Sequence, residues 1–170
     1  MKTKQLAIDG MLAAMCAVLG YLAIDLTYLK ITFETLPIIL AALMFGPLDG
    51  LAVGGVGTLI YQLLKYGVSA TTILWILPYC IIGILLGFYA NKHAFHNTDR
   101  ELFLSVVAAE LLVTILNSGV MYVDAKLYGY WFPGFIAANL ILRIVISIAK
   151  AAAFGAVLPK ITVAVRRAMR

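Results

Sequence analysis

The chain has 170 residues, 64% of them hydrophobic and 12% charged, with a net charge of +5 and a mean hydropathy of +1.01. A soluble domain is nearer half apolar and a quarter charged, and a core of this size cannot hide so much apolar surface from water. Lipid must solvate most of the chain, which excludes a soluble enzyme or nucleic-acid-binding module and indicates a single all-α integral membrane domain over residues 1–170.

The N-terminal stretch MKTKQLAIDGMLAAMCAVLGYLA starts basic and turns apolar like a signal peptide. Asp9 interrupts it early and no small-x-small cleavage site follows, so the pattern predicts a retained first helix over about 5–24. Gly10/Ala14 and Ala13/Ala17 give that helix a small-residue face at four-residue spacing, suited to close packing within the bundle or against a partner. The connection DLTYLKITFET leads to a second helix over about 35–46, short for the ~20 residues a crossing normally takes. After FGPLDG comes a third helix, about 50–64, whose Gly50, Gly54, Gly55 and Gly57 read as close-packing positions. The break KYGVSATT precedes a fourth helix, about 73–90, and Gly67 within it allows a sharp turn. NKHAFHNTDRE, the most polar stretch, separates it from a fifth helix, about 102–123, and DAKLYGYWFPG precedes a sixth, about 134–162.

Lysine and arginine set the expected orientation. With six spans and both termini cytoplasmic, the inner ends and loops carry Lys2, Lys4, Lys92, Arg100, Lys160, Arg166, Arg167 and Arg170. The outer loops carry only Lys30, Lys65 and Lys126. The positive charge thus faces anionic lipid headgroups, and nucleic acid is not an expected partner. The three outer connections are rich in Tyr, Phe, Trp and Lys, and two readings fit them: an interfacial aromatic belt, or a lid over a ligand.

Ionisable groups inside hydrocarbon need a partner or a task. Asn139, Arg143, Ser147 and Lys150 form one stripe on helix six, and Glu110, Thr114, Asn117 and Ser118 lie mostly on one face of helix five. At ~1.5 Å per residue, Glu110 and Lys150 sit at similar depth, ~21 and ~24 Å below the outer helix ends, and are expected to pair. Arg143, at ~14 Å, has no carboxylate at its own level. It either bonds backbone carbonyls or Glu110, or it waits for a carboxylate-bearing solute, which its planar donors suit. Trp75 and Tyr79 share a face of helix four, with Tyr61 and Gln62 at the end of helix three nearby. Such a wall suits a planar heterocycle with an acidic tail, and equally suits plain core packing.

No phosphate-binding G-x-x-x-x-G-K-[ST] loop occurs, so the chain is not itself an ATP motor of that type. Cys16 and Cys80 lie in apolar runs as small core residues, His93 and His96 sit in a solvated loop, and no metal or cofactor site is expected.

Lys30–Ile60, KITFETLPIILAALMFGPLDGLAVGGVGTLI, resembles the substrate-binding S components of energy-coupling-factor (ECF) vitamin transporters. The match lies in an extended loop ending in Phe, then Leu-Pro, a Phe-Gly-Pro turn and a Gly-rich third helix. Ala13-x-x-x-Ala17 is similar to the family's docking motif for its coupling subunit. The resemblance implies a non-enzymatic binding subunit in the cell membrane of a bacterium. Its ligand pocket would be formed by helices four to six under loops one, three and five. Its partners would be one energy-coupling transmembrane subunit and two ATPase subunits that hold the ATP hydrolysis. ATTILWILPY and ITFETLP resemble the folate group, and the Trp75/Tyr79 wall favours a pterin over pantothenate, the alternative carboxylate vitamin. The expected substrate-binding residues are Arg143, Asn117, Asn139, Trp75, Tyr79, Tyr61, Gln62, Lys65 and Lys30. A membrane enzyme or small secondary carrier, the latter favouring an internal repeat and ion-exchanging carboxylates, and a purely structural membrane protein are the competing classes.

Overall fold

In a computed structural model the described residues are 2–26, 29–93, 99–132, 134 and 137–169. Among them are six helices: α1 (Lys2–Tyr21), α2 (Thr35–Phe45), α3 (Pro47–Tyr66), α4 (Thr72–Lys92), α5 (Asp99–Leu127) and α6 (Ala137–Met169). A two-stranded antiparallel hairpin, β1 (Ile24–Leu26) and β2 (Leu29–Ile31), stands between α1 and α2, paired Ile24 to Ile31 and Leu26 to Leu29. The expected helices all form, and the hairpin corrects the expectation of a plain connection there. The hydrophobic periodicity was too short at three residues per strand to announce itself.

The brevity of α2 has a structural cause. Its residues Ile38 to Leu43 are all at most 2% exposed, because α1, α3, α4, α5 and α6 surround it. A helix apolar on every side belongs in the middle of a bundle. Eleven residues span only ~16 Å, and the chain between the hairpin and α2 is non-helical. There Glu34 and Thr35 lie fully buried just below the hairpin.

α3 and α4 approach until their backbones touch. A Cβ built on Gly83 would stand 2.3 Å from the carbonyl carbon of Gly50, and one on Gly54 would stand 2.8 Å from the carbonyl oxygen of Tyr79. The glycine-rich pattern of α3 is therefore a packing surface, as expected. α1 lies against the other side of α3, where a Cβ on Gly57 would meet Cys16 at 2.6 Å. Outward faces are apolar: Leu6, Leu64, Ile73 and Ile141 are each about 70% exposed, an arrangement that water would penalise. Among the described residues, Thr72–Lys92, Arg100–Leu127 and Ile141–Val165 are long and apolar enough to cross a membrane.

Candidate ligand-binding site

A cavity of about 380 Å³ opens between α3, α4, α5 and α6 beneath the hairpin side of the bundle. Tyr61, Gln62 and Tyr66 come from the last turns of α3, and Trp75 and Tyr79 from the first turns of α4. Asn117 and Asp124 come from α5, Arg143 and Ser147 from α6, and Thr32 and Glu34 from the segment below the hairpin. The size is in the ordinary range for a small-molecule site.

The deep end of the cavity holds a closed polar network. Lys150 Nζ donates to Glu110 Oε2 at 2.7 Å, and Thr35 donates its hydroxyl proton to the other oxygen of the same carboxylate. Glu110 is only 1% exposed and Lys150 12%, so the carboxylate is buried and its charge is met by a cation at the cavity wall. Depth along two antiparallel helices predicts this pair, and the structure contains it. Thr114 and Ser147 add a hydroxyl–hydroxyl contact between α5 and α6 one turn nearer the opening.

Arg143 stands in contrast. Its Nη1 donates to the neutral Ser118 Oγ at a long 3.3 Å and its Nη2 approaches Met121 Sδ, a weak acceptor, at 3.1 Å, so neither contact supplies a counter-charge. Its Nε is buried without a hydrogen-bond partner, and Arg143 forms no ion pair among the described residues. An arginine so placed can take a carboxylate with little rearrangement.

Glu34 accepts the Tyr79 hydroxyl proton, and the Tyr79 oxygen in turn accepts from Asn117 Nδ2 at 3.1 Å. Gly20 makes room for this carboxylate: a Cβ there would fall 2.4 Å from Glu34 Oε2 and 2.8 Å from the Tyr61 ring.

Over the opening, Asp124 gathers two loops. It accepts from the Thr71 hydroxyl and from Trp75 Nε1 (3.4 Å) at the start of α4, and from the Tyr130 hydroxyl beyond α5. Burial and the bond to Asp124 push the Tyr130 hydroxyl up to about 12. Gly67, with φ +72°, turns the chain between α3 and α4. Thr72 Oγ1 then accepts from the Ser69 backbone N–H at 2.8 Å, which ties the turn to the start of α4.

The sequence matches the family described as ECF transporter, substrate-specific component, over residues 4–164. The chain belongs to this family, the S components. It is a substrate-binding transporter subunit and not an enzyme. Its fold is similar to that in the crystal structure of FolT bound with folic acid, with a TM-score of 0.68, 27% identity and 90% of each chain covered. It is also similar to the S component of a bacterial ECF transporter, with a TM-score of 0.67, 22% identity and 95% and 96% of the two chains covered; this second likeness is one of fold. No curated protein is significantly similar.

Of the sequence-predicted residues of this S component, Arg143, Asn117, Trp75, Tyr79, Tyr61 and Gln62 meet around the one cavity. Lys65 does not line it; its ammonium lies 5.9 Å from the Tyr66 ring centre. Lys30 lies in β2 and Asn139 in α6, and the side chains of both are outside the described residues. Ala13 and Ala17 are buried, 7% and 6% exposed, on the face of α1 that packs against α3. The aromatic loops divide between the two sequence readings. Tyr66 and Tyr128 line the cavity, whereas Trp131 and Phe132 do not and are exposed. Trp131 is held by Lys126, whose ammonium lies 4.5 Å from its ring centre.

Sequence reasoning missed Glu34 and Asp124. Asp124 had a signal, since it follows Asn117 by seven residues and so continues the polar stripe of α5, which runs four residues further than expected. Glu34 had none beyond an acid placed directly before an apolar run.

Proposed function

We propose that this S component binds folate from the outer side of a bacterial cell membrane and hands it to an ATP-driven coupling module. In this reading all six helices cross the bilayer as a single domain, with both termini cytoplasmic. The apolar outer faces of α1 and α3, which include Leu6, Val18, Val56 and Leu64, support spans beyond the three most apolar helices. The excess of Lys and Arg at one end of the bundle supports the orientation.

The observation that carries the substrate is a cavity lined by two unlike kinds of group. One wall is aromatic, from Trp75 and Tyr79, and the other presents Arg143 without an ion pair among the described residues. A stacked pterin and a carboxylate tail use both, and pantothenate has no ring for the first. The likeness to FolT bound with folic acid supports the same choice.

In this reading the partners are one energy-coupling transmembrane subunit and two ATPase subunits, together with membrane lipid; membership of the S-component family supports a coupling module. Docking on α1 falls to its exposed strip, where Gly10, Met11, Ala14 and Val18 run beside the buried Ala13 and Ala17. The two buried alanines would serve by keeping α1 close to α3. Calorimetric titration of the purified protein with folic acid and with pantothenate tests the substrate. Saturable one-to-one binding of folic acid and none of pantothenate is expected; the reverse preference would overturn the folate reading.

A further inference from the structure

The chain Glu34–Tyr79–Asn117 has a direction. Tyr79 has one hydroxyl proton, and Glu34 receives it. The Tyr79 oxygen can then only accept, so the amide of Asn117 must turn its Nδ2 toward it, as the 3.1 Å contact records. A primary amide held by its nitrogen has its carbonyl left over. Asn117 Oδ1 is buried and accepts no hydrogen bond among the described residues. A buried acceptor without a donor is unfavourable until one arrives. Glu34 belongs to the segment below the hairpin, Tyr79 to α4 and Asn117 to α5, so three separate elements converge on this one polarity.

We propose that Glu34, acting through Tyr79, fixes Asn117 as a hydrogen-bond acceptor, and that the site thereby selects a ligand bearing an amide-type N–H. In folate that group is the ring lactam. Glu34 is a positioning residue here, and Asn117 is the residue that meets the ligand. The proposal rests on the vitamin-binding reading above and adds what the heterocycle must carry. A ligand offering only acceptors at that edge would face Asn117 Oδ1 with like polarity and be rejected.

Reversing the chain tests it. Asn117→Asp sets a carboxylate oxygen against the Tyr79 oxygen while Glu34 still claims the only proton between them. Adding Glu34→Gln supplies an N–H to Tyr79, which can then give its own proton to the new Asp. The chain runs backward and the outer oxygen at position 117 is again an acceptor. Thermal unfolding of ligand-free protein reads the chain by itself. Asn117→Asp should lower Tm, and the double variant should recover most of the loss; if Asn117→Asp yields no folded protein, recovery of folded double variant is the same rescue. A double variant no better than Asn117→Asp would overturn the assigned direction.

Folic acid and its N3-methyl derivative read the ligand side. Wild type should prefer folic acid by more than tenfold, and Asn117→Leu should reduce that preference to less than threefold. Equal binding of the two by wild type would overturn the donor requirement. Binding of neither folic acid nor pantothenate by wild type would overturn the vitamin reading and the donor requirement with it, while the unfolding measurements still decide the chain.

Discussion

Where α3 meets α4, backbone touches backbone; where α5 meets α6, polar side chains stand between the helices. Gly50 and Gly83 leave no room for a side chain on the first seam, whereas Glu110–Lys150, Thr114–Ser147 and Arg143–Ser118 fill the second. In lipid both devices join helices, the first by close dispersion contact and the second by satisfying groups that the bilayer would reject. They differ in what they leave free. The glycine seam presents a rigid aromatic wall, and the polar seam presents donors and acceptors to whatever occupies the cavity. The cavity lies between the two, bridged by Tyr79–Asn117 in its depth and by the Asp124 bonds to Thr71 and Trp75 at its mouth.

Breaking the glycine seam should have the largest effect. Gly83→Val drives a branched side chain into the Gly50 backbone; overpacking typically costs about 1–3 kcal/mol and more where, as here, two touching backbones must separate. Loss of folded protein on size exclusion is the expected outcome, and a monodisperse variant of unchanged Tm would refute the close contact. Breaking the polar seam comes next. Lys150→Met leaves Glu110 buried without its cation, a change worth about 3–5 kcal/mol. Tm should fall, and the further change Glu110→Gln should return most of it, because the uncompensated charge rather than the lost contact is the main penalty. The bridge at the mouth is the smallest term. Asp124→Asn keeps the shape but exchanges a charged acceptor for a neutral one that also donates, weakening bonds from three donors, Thr71 and Trp75 at the start of α4 and Tyr130 beyond α5. Ligand dissociation measured by stopped flow should speed up several-fold while Tm changes little; an unchanged rate would mean that Asp124 only ties loops together.

The two seams were also unequally legible in the sequence. Glycines at 50 and 54, four residues apart in an apolar helix, point to close packing without any structure. The Glu110–Lys150 pair followed from helical rise and antiparallel order alone. Arg143, Asn117, Trp75 and Tyr79 were found because each is a polar or amphipathic group where hydrocarbon was expected. Glu34 was not, because its role depends on a hairpin that lowers a connecting segment into the bundle, and three-residue strands leave no periodic trace. Ala13 and Ala17 illustrate the opposite limit. Spacing identified a small-residue face on α1, but only the position of α3 tells which side of that face is covered.

The central claim is that folate occupies the cavity between these seams, its ring at the Trp75 wall and its carboxylate at Arg143. The chain has two tryptophans, and Trp131 is exposed and does not line the cavity, so a Trp131→Phe background leaves Trp75 as the reporter. Titrating folic acid into that protein should quench Trp75 fluorescence saturably, and adding Arg143→Ala should weaken the apparent affinity more than tenfold, a loss above about 1.4 kcal/mol. Saturable folate binding that leaves Trp75 unquenched and is indifferent to Arg143→Ala would contradict the account.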